Sequence, residues 1–206
     1  MKKTYLSIDS DFWSNPDIFL EQLELLMKFA LGSIPIIAVM NHQQMLDDVN
    51  LSKARKLINI DEHSDLDGVD VDWLSCATWI SYVTWRGVGE YNWIRPTKYY
   101  YGSCNSGTAW DHNIDWKISS STHINQRDIN LKDYIDDCVG IGICMSPAYS
   151  NKDIIDVFKY IIRKNNIKYI NGDLKEQSGE CVTPSGFAID REMILKGFGH
   201  TAELAG

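Results

Sequence analysis

The chain has 206 residues, 44% of them hydrophobic and 23% charged, which is ordinary globular usage and excludes disordered and fibrous classes. That length suffices for one domain with a core of its own. With 28 Asp+Glu against 20 Lys+Arg, the net charge is −8, so the positive surplus that non-specific nucleic-acid or anionic-membrane binding needs is missing, and a charged partner is expected to be a cation. In chain order, residues 4–8 (TYLSI) form a short β-favouring run that stops at Asp9. The next stretch has Asn15 at an N-cap position, Pro16 in the first turn, Gly32 at the end, and Ile18, Leu20, Leu23, Leu26, Met27 and Ala30 near helical spacing. It predicts an amphipathic helix. IPIIAVM (34–40) reads as a buried strand stopping at Asn41-His42, residues 43–55 as a polar helical stretch, and LINI (57–60) as another buried strand stopping at Asp61. Continuous apolar strands alternating with helices argue for a parallel sheet covered on both faces.

The segment 73–130 has a different character. Six of the seven tryptophans lie between Trp73 and Trp116, among serine, asparagine and glycine. WLSCATWISYVTW suggests a helix, and the remainder reads as an aromatic insertion without regular structure. The βα rhythm returns with CVGIGICM as a strand, NKDIIDVFKYIIRKN as a helix and IKYI as a short strand. The expectation is a single α/β domain spanning 1–206.

Cys76, Cys104, Cys138, Cys144 and Cys181 are odd in number and without CxxC spacing, so they are expected to be reduced. Cys138 and Cys144, six apart in one strand, are expected on one face of it. The first residues, MKKTYLSIDSD, lack an apolar stretch of signal-peptide type, and the longest apolar run is far short of a membrane span. A cytoplasmic protein is expected.

The chemistry sits at three strand ends: Ser7-Ile8-Asp9-Ser10-Asp11, Asn41-His42, and Asp61-Glu62-His63-Ser64-Asp65. Parallel strands present their C-terminal ends on one edge, where ligands bind, so four of these carboxylates and two imidazoles should converge with no lysine or arginine in any of the three clusters. Packed carboxylates repel unless protons or a cation neutralise them. A mixed Asp/His set suits Mn²⁺, Fe²⁺, Co²⁺ or Zn²⁺ better than Ca²⁺ or Mg²⁺. Six such ligands, one able to bridge, fit a two-metal site that activates water.

Asp61-x-His63-x-Asp65 after a hydrophobic strand resembles the D-x-H-x-D signature of the arginase-type ureohydrolases, and Ser7-x-Asp9-x-Asp11 resembles their S-x-D-x-D signature. Together with His42, NWIRP (92–96) and Ser146-Pro147, the pattern is most similar to the short, atypical peptide arginases. The resemblance implies a three-layer α/β sandwich with a central, mostly parallel sheet of arginase/deacetylase type. The strands would be reordered, because S-x-D-x-D here precedes D-x-H-x-D. It also implies two Mn²⁺ ions (Fe²⁺ or Co²⁺ as substitutes) bridged by Asp9 and Asp61, one completed by His42 and Asp65 and the other by His63 and Asp11. Asp11 would double as a catalytic carboxylate. The implied reaction is hydrolysis of peptidyl-arginine to ornithine and urea during maturation of a ribosomally made precursor peptide.

For the guanidinium, Glu90 in GEYNWIRP is the candidate carboxylate. For proton transfer, His112 in WDHNID is the candidate, ahead of His123 and His200. The expected partner is an arginine-containing peptide, and homo-oligomerisation stays open. Competing readings are an agmatinase- or deacetylase-like amidohydrolase, a metallophosphoesterase, and a non-catalytic metal-stabilised module.

Overall fold

The computed structural model describes residues 3–65, 78–85, 88–97 and 120–170. Its strands are β1 (Thr4–Asp9), β2 (Ile36–Val39), β3 (Lys56–Ile60), β4 (Glu90–Pro96), β5 (Ser120–Ile124), β6 (Cys138–Cys144) and β7 (Lys168–Ile170). Its helices are α1 (Pro16–Ala30), α2 (Trp79–Trp85) and α3 (Lys152–Lys164). Local chemistry sets the helix starts. Asn15 Oδ1 accepts from the amides of Asp17 and Ile18 at 2.9 and 3.2 Å, and Asn151 Oδ1 accepts from Ile154 at 3.0 Å. Gly32, at φ 82°, takes the left-handed conformation that turns the chain after α1.

The strands form one sheet in the order β5-β4-β3-β1-β6-β2-β7, and every pairing is parallel. Side chains alternate across it. Leu6, Ile8, Ile58, Ile60, Ile141 and Ile143 face a core closed by α1 and α3. Tyr5, Val39, Leu57, Tyr91 and Trp93 face a second core with Met45, Leu51 and the α2 residues Trp79, Ile80 and Val83. Three layers result, with the sheet in the middle. Two residues of β6 are glycine because Tyr5 lies across them: a Cβ on Gly140 would meet the Tyr5 ring at 3.0 Å, and one on Gly142 would meet Tyr5 Oη at 2.8 Å and Met45 Sδ at 2.7 Å. The Tyr5 hydroxyl then donates to Asp48 Oδ2 at 2.9 Å.

The chain leaves β1 for β2 on one side and returns to β3 on the other. In such sheets the C-terminal ends of the strands at a reversal of this kind are the usual ligand position. None of the described helices is long and apolar enough to cross a membrane.

Three expectations need correction. Residues 43–55 are not one helix but two 3₁₀ turns, His42–Asp47 and Leu51–Lys53. Polar side chains there bond the backbone directly: Gln44 Oε1 accepts from the amides of Met40 and Asn41, and Asp48 Oδ1 from that of Asn50. Such bonds compete with a continuing helix. The stretch read as an aromatic insertion supplies β4 and β5, whose residues extend the sheet beyond β3. Cys138 and Cys144, both free, pack on opposite faces, Cys138 toward α1 and α3 and Cys144 toward α2. A register shift in the β1–β6 pairing, where Thr4 pairs Cys138 but Tyr5 pairs Gly140, inserts one extra residue and inverts the alternation.

The close approach over β6 makes a direct prediction. Gly142→Ala should lower unfolding free energy by about 1–3 kcal/mol in chemical denaturation. Gly89→Ala, where nothing lies within 4 Å of the added Cβ, should change it by less than about 0.5 kcal/mol.

Candidate metal centre

Four adjacent strand ends, those of β3, β1, β6 and β2, supply the site. On β1 the two-residue period puts Ser7 and Asp9 on the α2 face, in line with Tyr5. On β3 it puts Asn59 and then Asp61 on that same face, in line with Leu57. His42 follows β2 at the opening of its 3₁₀ turn, and Ser146 follows β6. Asp65 and Ser146 have φ of 53° and 42°, a conformation that non-glycine residues adopt at some cost and that clusters at functional sites.

His42 is the focus of one half. Its Nδ1 lies 3.2 Å from Asp9 Oδ2, 3.2 Å from Asp61 Oδ2 and 2.7 Å from Asp65 Oδ2. Its Nε2 lies 3.2 Å from Ser7 Oγ, and the Ser7 hydroxyl donates to Met45 Sδ at 3.3 Å. With that hydrogen directed at sulfur, Ser7 Oγ accepts from His42 Nε2–H, so Nδ1 faces the three carboxylates, donating to them while the imidazole is protonated and offering its lone pair to a cation once it is not. This is how a neighbouring group orients a metal-binding histidine. Trp79 closes this half: its Nε1 donates to Asp65 Oδ2 at 2.5 Å, and its ring lies 5.1 Å from the imidazole.

His63 is the focus of the other half. Its Nδ1 lies 3.0 Å from Asp11 Oδ2 and 3.8 Å from Asp61 Oδ1. The His63 amide donates to Asp61 Oδ1 at 2.7 Å, and the Glu62 amide to Asp11 Oδ1 at 3.4 Å. The His63 side chain is 29% exposed, whereas that of His42 is 2% exposed, so the site opens toward His63. The Tyr149 ring, itself exposed, stands 5.2 Å from the His63 ring.

Further bonds hold the carboxylates. Ser146 Oγ donates to Asp9 Oδ2 at 2.6 Å, Asn59 Nδ2 to Asp61 Oδ2 at 3.0 Å, and Trp93 Nε1 to the Asp61 carbonyl at 3.0 Å. Their electrostatics follow from depth. Burial first, then Asp11, raises Asp9 well above the usual carboxylate range. Burial and Asp61 raise Asp11, and burial and Asp65 raise Asp61. Burial and Asp11 push Glu62 to about 7. Burial opposes charge on His42, yet Cys144, Asp9 and Asp65 around it hold its imidazole well above 6.5. Burial opposes charge on His63 too, and the hydrogen bond and charge of Asp11 push it up to about 12.

Donor atoms within 4.8 Å of one another form three groups: His42, Asp61 and Asp65; Asp11, Asp61 and His63; and Asp9, His42 and Cys144. These groups can hold a metal ion, and the oriented Nδ1 of His42 with carboxylate oxygens around it fits a borderline divalent cation. All six residues expected as ligands, Asp9, Asp11, His42, Asp61, His63 and Asp65, are thus brought together. Glu90 is not. It opens β4 in register with Lys56, bonded to that lysine's Nζ at 2.8 Å, whereas Ile94 lies opposite Ile60 at the site edge. Four residues of strand, roughly 13 Å, separate the two positions, so the assignment of Glu90 to a guanidinium is corrected. His123 lies on the outermost strand, β5, where Arg95 Nε donates to its Nε2 at 2.6 Å. His112 and His200 lie outside the described residues.

Ser146, Asn59, Trp79, Cys144 and Glu62 also belong to the site. Asn59, an amide inside an apolar strand two residues before Asp61, carried a readable signal. Ser146 entered only through the Ser146-Pro147 resemblance, without a role, and Trp79 carried no signal, since distant chain segments bring both in. No family model, no curated protein and no solved structure matches this chain.

Two outcomes follow. In the metal-free protein His42, His63, Asp9, Asp11 and Asp61 hold protons more tightly than usual, and a metal must displace them. Affinity for Mn²⁺, measured by calorimetry in buffers of different ionisation enthalpy, should therefore rise with pH through and above the ordinary imidazole value of 6.5, with net proton release. Ser7→Ala, which removes the acceptor for His42 Nε2–H, should weaken metal binding by about 10–100-fold.

Proposed function

We propose that this chain is a dinuclear-metal hydrolase that converts arginine residues of a ribosomally made precursor peptide to ornithine and urea. The observation that carries the reading is that Asp61 belongs to two donor groups at once, one completed by His42 and Asp65 and the other by Asp11 and His63. This is the partition that the resemblance to peptide arginases implies for those five residues, and Asp9 lies beside His42. A site for one metal needs only the first group, so the second argues against a deacetylase-like arrangement.

In this reading Asp9, Asp11, His42, Asp61, His63 and Asp65 hold two Mn²⁺ ions, with Fe²⁺ or Co²⁺ as substitutes. The metals supply neutralisation of the buried carboxylates and a water acidic enough to react near neutral pH. The protein's own residues do the rest. Ser7 keeps His42 in the tautomer that presents Nδ1, Ser146 and Asn59 fix the carboxylates of Asp9 and Asp61, and Trp79 excludes water from the buried half. The substrate enters beside His63. Water adds its oxygen to the guanidinium carbon, the bond from that carbon to the side-chain nitrogen breaks, and the two water protons leave on that nitrogen, giving a protonated amine and neutral urea. Delivery of a proton to the departing nitrogen is assigned to His112 because of its WDHNID context.

Incubation with Mn²⁺ and an arginine-containing peptide should give a mass loss of CN₂H₂ per modified residue and an equal yield of urea, with free arginine left intact. Two metals per chain with no change in either substrate would overturn the reading. Asp61→Ala should abolish turnover and reduce bound metal below one per chain, read by elemental analysis, because both sites lose a ligand together.

A further inference from the structure

Glu62 is the one acid of the D-x-H-x-D stretch that the metal centre leaves unused. Asp61, Asp65, Asp9 and Asp11 each engage a histidine and at least one further donor. Glu62 is only 8% exposed, belongs to none of the donor groups, and its carboxylate has no hydrogen bond or ion pair among the described residues. The oxygens of that carboxylate are not sealed from solvent, so a cation arriving from outside can reach a negative group already crowded by Asp11 and Asp61. Its place explains what it waits for. It lies on the open half, its backbone amide bonded to Asp11 and its neighbour His63 partly exposed, with the Tyr149 ring across that imidazole.

We propose that Glu62 and the face of Tyr149 form the recognition site for the planar cationic head of the substrate, beside the His63 half of the metal centre. This rests on the reading above of a hydrolase acting on a guanidinium. A guanidinium offers paired N–H donors that match a carboxylate and a flat surface that stacks on an aromatic ring, whereas an ammonium offers only a compact charge. The pair therefore selects arginine over lysine as well as cation over neutral. It takes the role that sequence context had suggested for Glu90.

The test compares the Mn²⁺-loaded wild type with E62Q, which keeps size and shape, and with Tyr149→Leu and Tyr149→Phe at an exposed position. E62Q should keep two metals per chain and raise KM for an arginine peptide at least tenfold. It should also abolish the preference for that peptide over its neutral citrulline counterpart in calorimetric binding. Tyr149→Leu should weaken arginine-peptide binding and Tyr149→Phe should not. A KM in E62Q within twofold of the wild type, or loss of a metal ion from E62Q, would overturn the assignment. If the wild type leaves arginine unhydrolysed, the hydrolase reading fails separately, and the unconsumed arginine peptide then serves as the calorimetric ligand. A preference over citrulline that depends on Glu62 still supports the site, and no preference in the wild type overturns it. Should E62Q fail to fold, the wild-type preference and the Tyr149 pair decide the matter.

Discussion

Asp9, Asp11, Asp61 and Asp65 lie at or below 6% exposure around two imidazoles, and carboxylates at that depth can coexist only if protons or cations neutralise them. The rest of the structure serves this constraint. A parallel sheet brings the ends of β3, β1, β6 and β2 side by side, at the chain reversal beside β1 where ligands of such sheets usually bind. The α2 face of β1 and β3 changes from Tyr5 and Leu57 to Ser7 and Asn59 and then to Asp9 and Asp61, so polarity rises toward the edge where charge must be held. The raised proton affinities of Asp9, Asp11, Asp61, His42 and His63 are the metal-free expression of the same demand.

The two halves of the cluster differ in access. His42 is enclosed, with Trp79 against its ring and both ring nitrogens within hydrogen-bond distance of polar oxygens. His63 is partly open, with the Tyr149 ring 5.2 Å away and Glu62 next to it in the chain. Asp61 joins the halves: Oδ2 faces His42, and Oδ1 lies nearer His63.

Much of this was legible one residue at a time. Apolar runs with two-residue and 3.6-residue periods marked β1, α1, β2, β3, β6, α3 and β7, because burial of a regular element imposes its period on the chain. The D-x-D, Asn-His and D-x-H-x-D stretches stood at strand ends and announced the six donors. The strands β4 and β5 were not legible. Tyr91, Trp93 and Ile94 carry a strand signal, but they sit within an aromatic region whose composition masks it, and SSTHI has no apolar alternation because β5 is a largely exposed edge strand. Misreading 90–96 as loop misplaced Glu90, since only strand register reveals that it starts β4 at the far edge of the sheet.

By itself the sequence determined the chemical character of the site: an acidic chain and six hard-to-borderline donors at three strand ends, a set able to hold a cation. It could do so because donor identity and strand termination are local properties. Tertiary structure alone decided which oxygen meets which nitrogen, that Ser7 Oγ meets His42 Nε2, that Ser146 and Trp79 arrive from other segments, and that Glu62, not Glu90, lies close to the cluster. Those outcomes depend on sheet order, register and the inversion at the β6 bulge. A one-residue shift in any of them turns a side chain to the opposite face, and only the assembled sheet settles the register.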